Sequence, residues 1–356
     1  MFKDIFEAAE KGSVDDVQFF VDQGVDVSTK DNYGRTPTYY AAYYNFNIEV
    51  LKYLIDQEEQ QISVKNSNIK IPESVRKSFD DCMQLLVETL VNNVNEKTQD
   101  EKTPLHFVVK QRNPNIKMLT SLIEQGADVN ARDNRGKTVF HIATVKSNIE
   151  MLKFLVAQGV DVLAEDDSGQ TALHYAAMKN SSVDVSEYLI SLGCDINAKD
   201  YSGMIPLHKA AMLNYKLEIL KYLIEKGGDV NGKDNNGWTP LHLAIMYNFN
   251  VEVLKYLIEK GVDVNEKDNN GWTLLNLVIR RSLMSKRYAE ILNFNVENFN
   301  IETLKCLIKH GANVNAKIPN GKTPLDLTEI RDWTGKEEIQ SILRQAGGKT
   351  SKELQG

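Results

Sequence analysis

A proline-centred element recurs along the chain at an almost constant interval, and this recurrence limits the fold more than any other feature. Aligned on Gly-x-Thr-Pro-Leu-His, the proline position is occupied by Pro37, Pro72, Pro104, Val139, Ala172, Pro206, Pro240, Leu274 and Pro324. The successive gaps are 35, 32, 35, 33, 34, 34, 34 and 50 residues. A period of this size makes each unit too small to bury its own apolar face, so units must stack on one another. A chain of 356 residues would otherwise suggest about two or three globular domains.

The fullest unit reads Asp234-Asn235-Asn236-Gly237-Trp238-Thr239-Pro240-Leu241-His242-Leu243-Ala244 and closes with Gly261-Val262-Asp263-Val264-Asn265. Asp and Gly at the first and fourth positions of a tight turn make a hairpin tip. Thr caps the first helix, and Pro in its first turn sacrifices no hydrogen bond because that N–H has no helical partner. Small residues on the first helix allow close packing, and Val253, Leu254, Leu257 and Ile258 supply the apolar stripe of the second. Gly261 suits the left-handed position that ends that helix, and Gly24, Gly126, Gly159, Gly193, Gly227 and Gly311 recur there. These residues and their spacing resemble the ankyrin repeat over nearly the whole chain. The resemblance implies an all-α ankyrin-repeat solenoid: helix-turn-helix units joined by β-hairpin-like loops in a curved, elongated stack.

Departures from the pattern divide the chain. Residues 1–30 lack the Thr-Pro start and read as an N-terminal capping repeat, and 31–57 form a repeat. The polar, aperiodic stretch 58–70 reads as an irregular loop, followed by a degenerate repeat at 71–98. Repeats continue over 99–279, an insertion occupies 280–297, and 298–346 hold the last repeats and a C-terminal cap. Residues 347–356 read as a disordered tail. Stability in such an array comes from neighbouring interfaces, so limited proteolysis is expected to cut first within 58–70.

Charge and motifs narrow the chemistry. The net charge of −7 opposes a phosphate backbone as principal ligand, so no nucleic acid partner is expected. Cys82, Cys194 and Cys306 lie too far apart for a local metal site and read as buried or half-buried thiols of a reducing compartment. Five histidines, His106, His141, His174, His208 and His242, share one repeat position. Adjacent units stack at roughly 10 Å, too far for two imidazoles to share a zinc, so each is expected to bond turn backbone instead. Gly-Lys-Thr occurs at Gly136, Gly321 and Gly348, but Ala131, Ala316 and Leu343 stand where a phosphate-binding loop needs glycine. No catalytic, cofactor or metal residue is expected. Neither a signal sequence nor a membrane span is read, and a monomer in the cytoplasm is expected. The richness in Asn, Lys and Ile suggests a host-directed effector exported without a classical signal peptide as one alternative.

In ankyrin-like stacks partners lie along hairpin tips and the exposed face of the first helix. Carried over by position, the resemblance implies contacts from Tyr33, Arg35, Tyr43, Tyr44, Met178, Tyr201, Met204, Met212, Trp238, Met246, Tyr247, Trp272, Arg280 and Arg281. Lys102, Lys110, Gln111, Lys137, Lys146, Gln170, Lys179 and Leu213 fill the same slots. Trp, Tyr, Met and Arg are enriched at interface hot spots, so the expected function is a non-catalytic scaffold or adaptor for a protein partner, centred on residues 204–281. An anionic ligand bound by Arg280, Arg281, Lys286 and Arg287 is the other alternative.

Overall fold

Where a repeat begins with aspartate, it opens with a turn that this aspartate closes twice over. The Asp234 N–H donates to the Trp238 carbonyl at 2.9 Å, and its carboxylate accepts the N–H groups of Asn236 and Trp238, each at 2.8 Å. Asp166, Asp200 and Asp268 repeat this geometry. Gly237 sits at φ +76°, and a Cβ there would lie 2.5 Å from Asn269 Oδ1 of the next tip, so backbone and neighbour both demand glycine. Successive tips are tied by Asn235 N–H to Ser202 O and Asn269 N–H to Asn236 O, each 2.9 Å. Among the described residues the hairpin arms make only isolated bridges, such as Lys267 with Thr273. The turn at 98–102 lacks the glycine, and Glu101 takes the left-handed conformation at φ +56°.

The computed structural model describes residues 2–44, 49–50, 53–54, 57, 94–95, 97–110, 116–146, 148–178, 182–213, 217–248, 250–282, 296–330, 333 and 335–355. Within these, the side chains of Tyr39, Ala42, Tyr43, Tyr44, Met118, Val296, Glu297 and Asn298 are not described. The expected loop at 58–70 and most of the degenerate repeat at 71–98 lie outside the described residues, as does most of the 280–297 insertion. The chain divides into two compact units, Met1–Asp161 and Val162–Gly356, a boundary the repeat pattern does not announce.

The first unit contains α1 (Ile5–Lys11), α2 (Val14–Asp22), α3 (Pro37–Tyr44), α4 (Pro104–Lys110), α5 (Ile116–Glu124), α6 (Val139–Lys146) and α7 (Ile149–Ala157). First helices pack on first helices, α1 on α3 and α4 on α6. The second unit contains α8 (Ala172–Met178), α9 (Val183–Ser191), α10 (Pro206–Leu213), α11 (Leu217–Glu225), α12 (Pro240–Tyr247) and α13 (Val251–Glu259). It continues with α14 (described over 274–282), α15 (Val296–Lys309), α16 (Pro324–Thr328) and α17 (Lys336–Gln345). There α8, α10 and α12 pack in series, and α9, α11, α13, α15 and α17 form the second layer. Leucine, alanine and valine fill the space between layers: Leu173, Leu207, Leu241, Leu257 and Leu307 are fully buried.

Two polar ladders join neighbouring repeats within each of the two units. In the first, His106, His174 and His208 accept a backbone N–H at Nδ1, from Thr103, Thr171 and Ile205, at 3.1–3.2 Å. That bond assigns the Nε2–H tautomer. Nε2 then donates to the next unit's Lys137, Met204 or Trp238 carbonyl at 2.9–3.1 Å. His141 and His242 keep the Nδ1 bond, whereas His242 Nε2 is buried without a hydrogen-bond partner. Burial pushes all four of His106, His174, His208 and His242 below the ordinary imidazole value, His242 down to about 4.

The second ladder uses asparagine. Asn197 donates to Gly227 O at 3.0 Å and accepts from Asp229 N–H at 2.9 Å, and Asn95 and Asn130 do the same within the first unit. Asn265 makes the same pair of bonds to Gly311 O and Asn313 N–H, at 2.9 and 2.7 Å. The long gap before Pro324 therefore leaves this joint intact.

The C-terminal segment corrects the expected disordered tail. Asn315 donates to Gly347 O at 3.1 Å and accepts from Lys349 N–H at 2.7 Å, the same ladder step again. Thr323 Oγ1 donates to Lys349 O at 2.8 Å, and Ser351 N–H donates to Asp326 at 2.8 Å. Arg344 grips both Glu353 oxygens at 2.7 and 2.9 Å. Residues 347–355 are thus held as the opening of another unit.

Candidate functional site

The first helices of the second unit are short and carry no carboxylate from α8 through α14, whose sequences are ALHYAAM, PLHKAAML, PLHLAIMY and, over 274–282, LLNLVIRRS. The second helices carry the acids, including Asp184 and Glu187 on α9, Glu218 and Glu225 on α11, and Glu252 and Glu259 on α13. Acidic side chains are therefore sorted to one helix layer, although the chain as a whole is negative. The turn-opening aspartates Asp166, Asp200, Asp234 and Asp268 are buried and accept backbone N–H groups, whereas Asp167, at the tip of its repeat, is exposed.

On this acid-poor layer lie most of the expected contact residues. Trp238 is half-buried. Its indole Nε1 donates to Asp268 Oδ2 at 3.1 Å, and its ring centroid is 6.2 Å from Tyr247 and 6.4 Å from His242. Tyr247 is 48% exposed. The reason Trp238 faces this way is chemical. Each tip aspartate has a second oxygen to satisfy, and Asp166 takes Tyr175 O–H at 2.6 Å while Asp200 takes Lys209 Nζ at 2.7 Å. Leu277 stands at the corresponding position for Asp268 and has no donor, so the preceding unit's indole supplies it. Trp238 thus combines a structural N–H with a partly exposed ring.

Trp272 is half-buried beneath Arg280, whose guanidinium carbon lies 5.3 Å from the indole centroid. Arg280 is exposed. Met178, Met204, Met212 and Met246 are half-buried, and Met204 Sδ accepts from Lys209 Nζ at 3.6 Å. Tyr201 is exposed at its tip, its ring lying across Gly169.

Arg281 requires correction. It was expected on the surface beside Arg280, but only 6% of it is exposed. Its guanidinium donates to the carbonyls of Ile245 and Asn248 and lies 4.5 Å from the Phe299 ring centroid. Short helices leave their last carbonyls unpaired, and Arg281 covers those at the end of α12 from the next unit. Asn248 does the same for Ala211 O at 2.9 Å. Burial lowers the Arg281 guanidinium to about 10. Its interior position removes one of the four cations considered for an anionic ligand; Lys286 and Arg287 lie outside the described residues.

The first unit contributes less. Tyr33 is exposed at its tip, whereas Arg35 pairs with Asp31 at 2.7 Å between the rings of Tyr33 and Tyr40, at 4.7 and 4.8 Å. That arrangement braces the turn. The side chains of Tyr43 and Tyr44, and the residues Gln111 and Lys179, lie outside the described set. Burial raises the Cys194 thiol to about 11 and also raises Cys306, which keeps both protonated. Among the described residues no three His, Cys, Asp or Glu side chains converge on a metal position, and no helix is long and apolar enough to cross a membrane.

Comparison with known proteins agrees with this architecture. A family model described as "Ankyrin repeats (3 copies)" matches residues 73–166, 112–200 and 207–294, and one described as "Ankyrin repeats (many copies)" matches 5–55. Ankyrin repeat domain-containing protein 53 of Homo sapiens is 32% identical over 100 residues, covering 27% of this chain and 19% of that protein. Its Macaca fascicularis counterpart is 30% identical over 100 residues, covering 27% and 20%. The match thus spans about a fifth of the length of these curated relatives. The crystal structure of the human ASB11 ankyrin repeat domain superposes with a TM-score of 0.54 at 23% identity, over 70% of this chain and 99% of that one. At that identity the likeness shows the fold alone.

Proposed function

The chain belongs to the ankyrin-repeat family, whose repeats are generally protein–protein interaction modules, and from that premise we propose that its second unit is a scaffold face for one protein partner. The face runs along the tips and first helices from Met204 to Arg280, and the chain acts there as a cytoplasmic monomer without catalysis. One observation carries the reading: Trp238, Tyr247 and Trp272 keep part of their rings open while neighbours hold them in place. Fixed aromatic rings give up little side-chain entropy on binding, which is why such residues dominate interface energetics.

Affinity capture from lysate with wild-type protein and a Tyr247→Ala/Trp272→Ala variant tests it. Trp238 is left unchanged, because Ala and Phe would each remove the indole N–H that the buried Asp268 carboxylate accepts. Loss of specific partners with an unchanged thermal transition is the expected result. The same partner set on both proteins would reject the face.

A further inference from the structure

We infer that the segment held on this face is a peptide in which an aspartate or glutamate lies beside bulky apolar side chains, its carboxylate seated on Arg280. The inference rests on the second unit's first-helix layer being the partner face. Three observations carry it further.

The first is charge sorting. From α8 through α14 the first helices hold no Asp or Glu, while α9, α11 and α13 hold two each. The second is the state of the cations. Lys209 is consumed by Asp200 inside the fold, and Arg281 is consumed by the carbonyls of Ile245 and Asn248. Arg280 alone of the three is exposed, and it has no carboxylate partner among the described residues. The third is its setting. The guanidinium carbon lies over the Trp272 ring, 5.3 Å from its centroid, a cation–π contact that positions the side chain and leaves its N–H groups for a carboxylate acceptor. The apolar rings around it predict apolar neighbours for that acceptor. A nucleic acid would need a row of cations, and among the described residues of these first helices Arg280 is the one exposed cation.

The test uses the full chain. Random dodecapeptides displayed on phage are selected against it, and the enriched sequences are synthesised and titrated calorimetrically. Wild type is compared with Arg280→Gln, Arg280→Glu and Tyr247→Ala, alongside a 20-nucleotide single-stranded DNA as a phosphate-bearing probe. Enriched peptides are expected to place Asp or Glu within about four residues of an aromatic or branched aliphatic side chain. Arg280→Glu should weaken them about tenfold and Arg280→Gln less, and changing the peptide acid to Lys should restore binding to Arg280→Glu. Binding should weaken by less than about tenfold between 50 and 500 mM salt, because one charge pair is involved.

Peptides that need Tyr247 but are neutral or basic, or are indifferent to Arg280, would overturn the acidic ligand and leave the face standing. Peptides indifferent to both residues, or a failure to enrich any, would overturn the face as well. Tighter, Arg280-dependent binding of the DNA would replace the peptide with a phosphate ligand.

Discussion

Lowering the pH from 7 to 5 should destabilise the second unit through its buried imidazoles, and His242 sets the scale. Its Nδ1 accepts the Thr239 N–H at 3.1 Å, its ring is fully buried, and burial holds it down to about 4 against an unfolded value of 6.5. Since the folded value lies below the unfolded one, the unfolded chain binds the proton first as pH falls. The contribution is complete above about pH 6.5, shrinks between 6.5 and 4, and is gone below. At pH 5 the difference amounts to about 2 kcal/mol, taking 1.36 kcal/mol per pKa unit. His174 and His208 shift in the same direction and add to the loss. The carboxylates whose values are lowered, such as Glu266 and Asp326, act only below their ordinary range near 4, so pH 5 to 6.5 isolates the histidines. Urea unfolding between pH 5 and 7.5, followed by circular dichroism and by tryptophan fluorescence, measures the effect, with Trp238 as a local reporter beside His242. His242→Asn is the control, because Asn276 fills the same slot one unit later and donates to Ala316 O at 3.4 Å. The variant should lose about 2 kcal/mol less on acidification than wild type. A flat wild-type profile, or an undiminished loss in His242→Asn, would refute the reasoning.

Other substitutions probe the joints. Asn265→Ala removes both bonds to the next unit and should cost about 1–3 kcal/mol, with hydrogen exchange at the Asn313 amide accelerated. Gly237→Ala places a methyl group against Asn269 in a left-handed conformation and should cost more than about 2 kcal/mol in chemical denaturation. Glu101→Gly, by relieving the left-handed strain in the glycine-less turn, should stabilise the first unit by up to about 1 kcal/mol by the same measurement. Asn300 is buried with neither amide atom bonded, so Asn300→Leu should raise stability by about 1–2 kcal/mol. A lower midpoint in that variant would show that the amide is matched by polar surroundings.

The repeat, its turns and its helix ends were readable from residue order because their causes are local. A glycine after the second helix adopts positive φ whatever lies across from it, and an aspartate closes its own turn through N–H groups two and four residues on. The histidine position was readable for a related reason, since spacing alone excluded a shared metal and left the backbone as partner. The asparagine ladder had a signal, the recurring Val-Asn of Val94-Asn95, Val129-Asn130, Val264-Asn265 and Val314-Asn315. Its purpose lay in the neighbouring unit, which only stacking brings within reach.

Where two adjacent residues carry the same chemistry, sequence has no means of telling them apart. Arg280 and Arg281 are both cations at the end of one helix, yet one is exposed on an indole and the other caps carbonyls in the interior. The direction of α14 against α12 and α15 decides which is which. Trp238 likewise reads as an open hot spot until Asp268, thirty residues on, is seen to need its N–H. The terminal segment looks structureless by composition, but Asn315 and Asp326 hold it. Residue order alone determined the repeating backbone, because turn and cap chemistry acts within a few residues. Packing between units decided which polar and aromatic groups are spent on the fold and which remain for a partner, because that choice depends on donors and acceptors about thirty residues away.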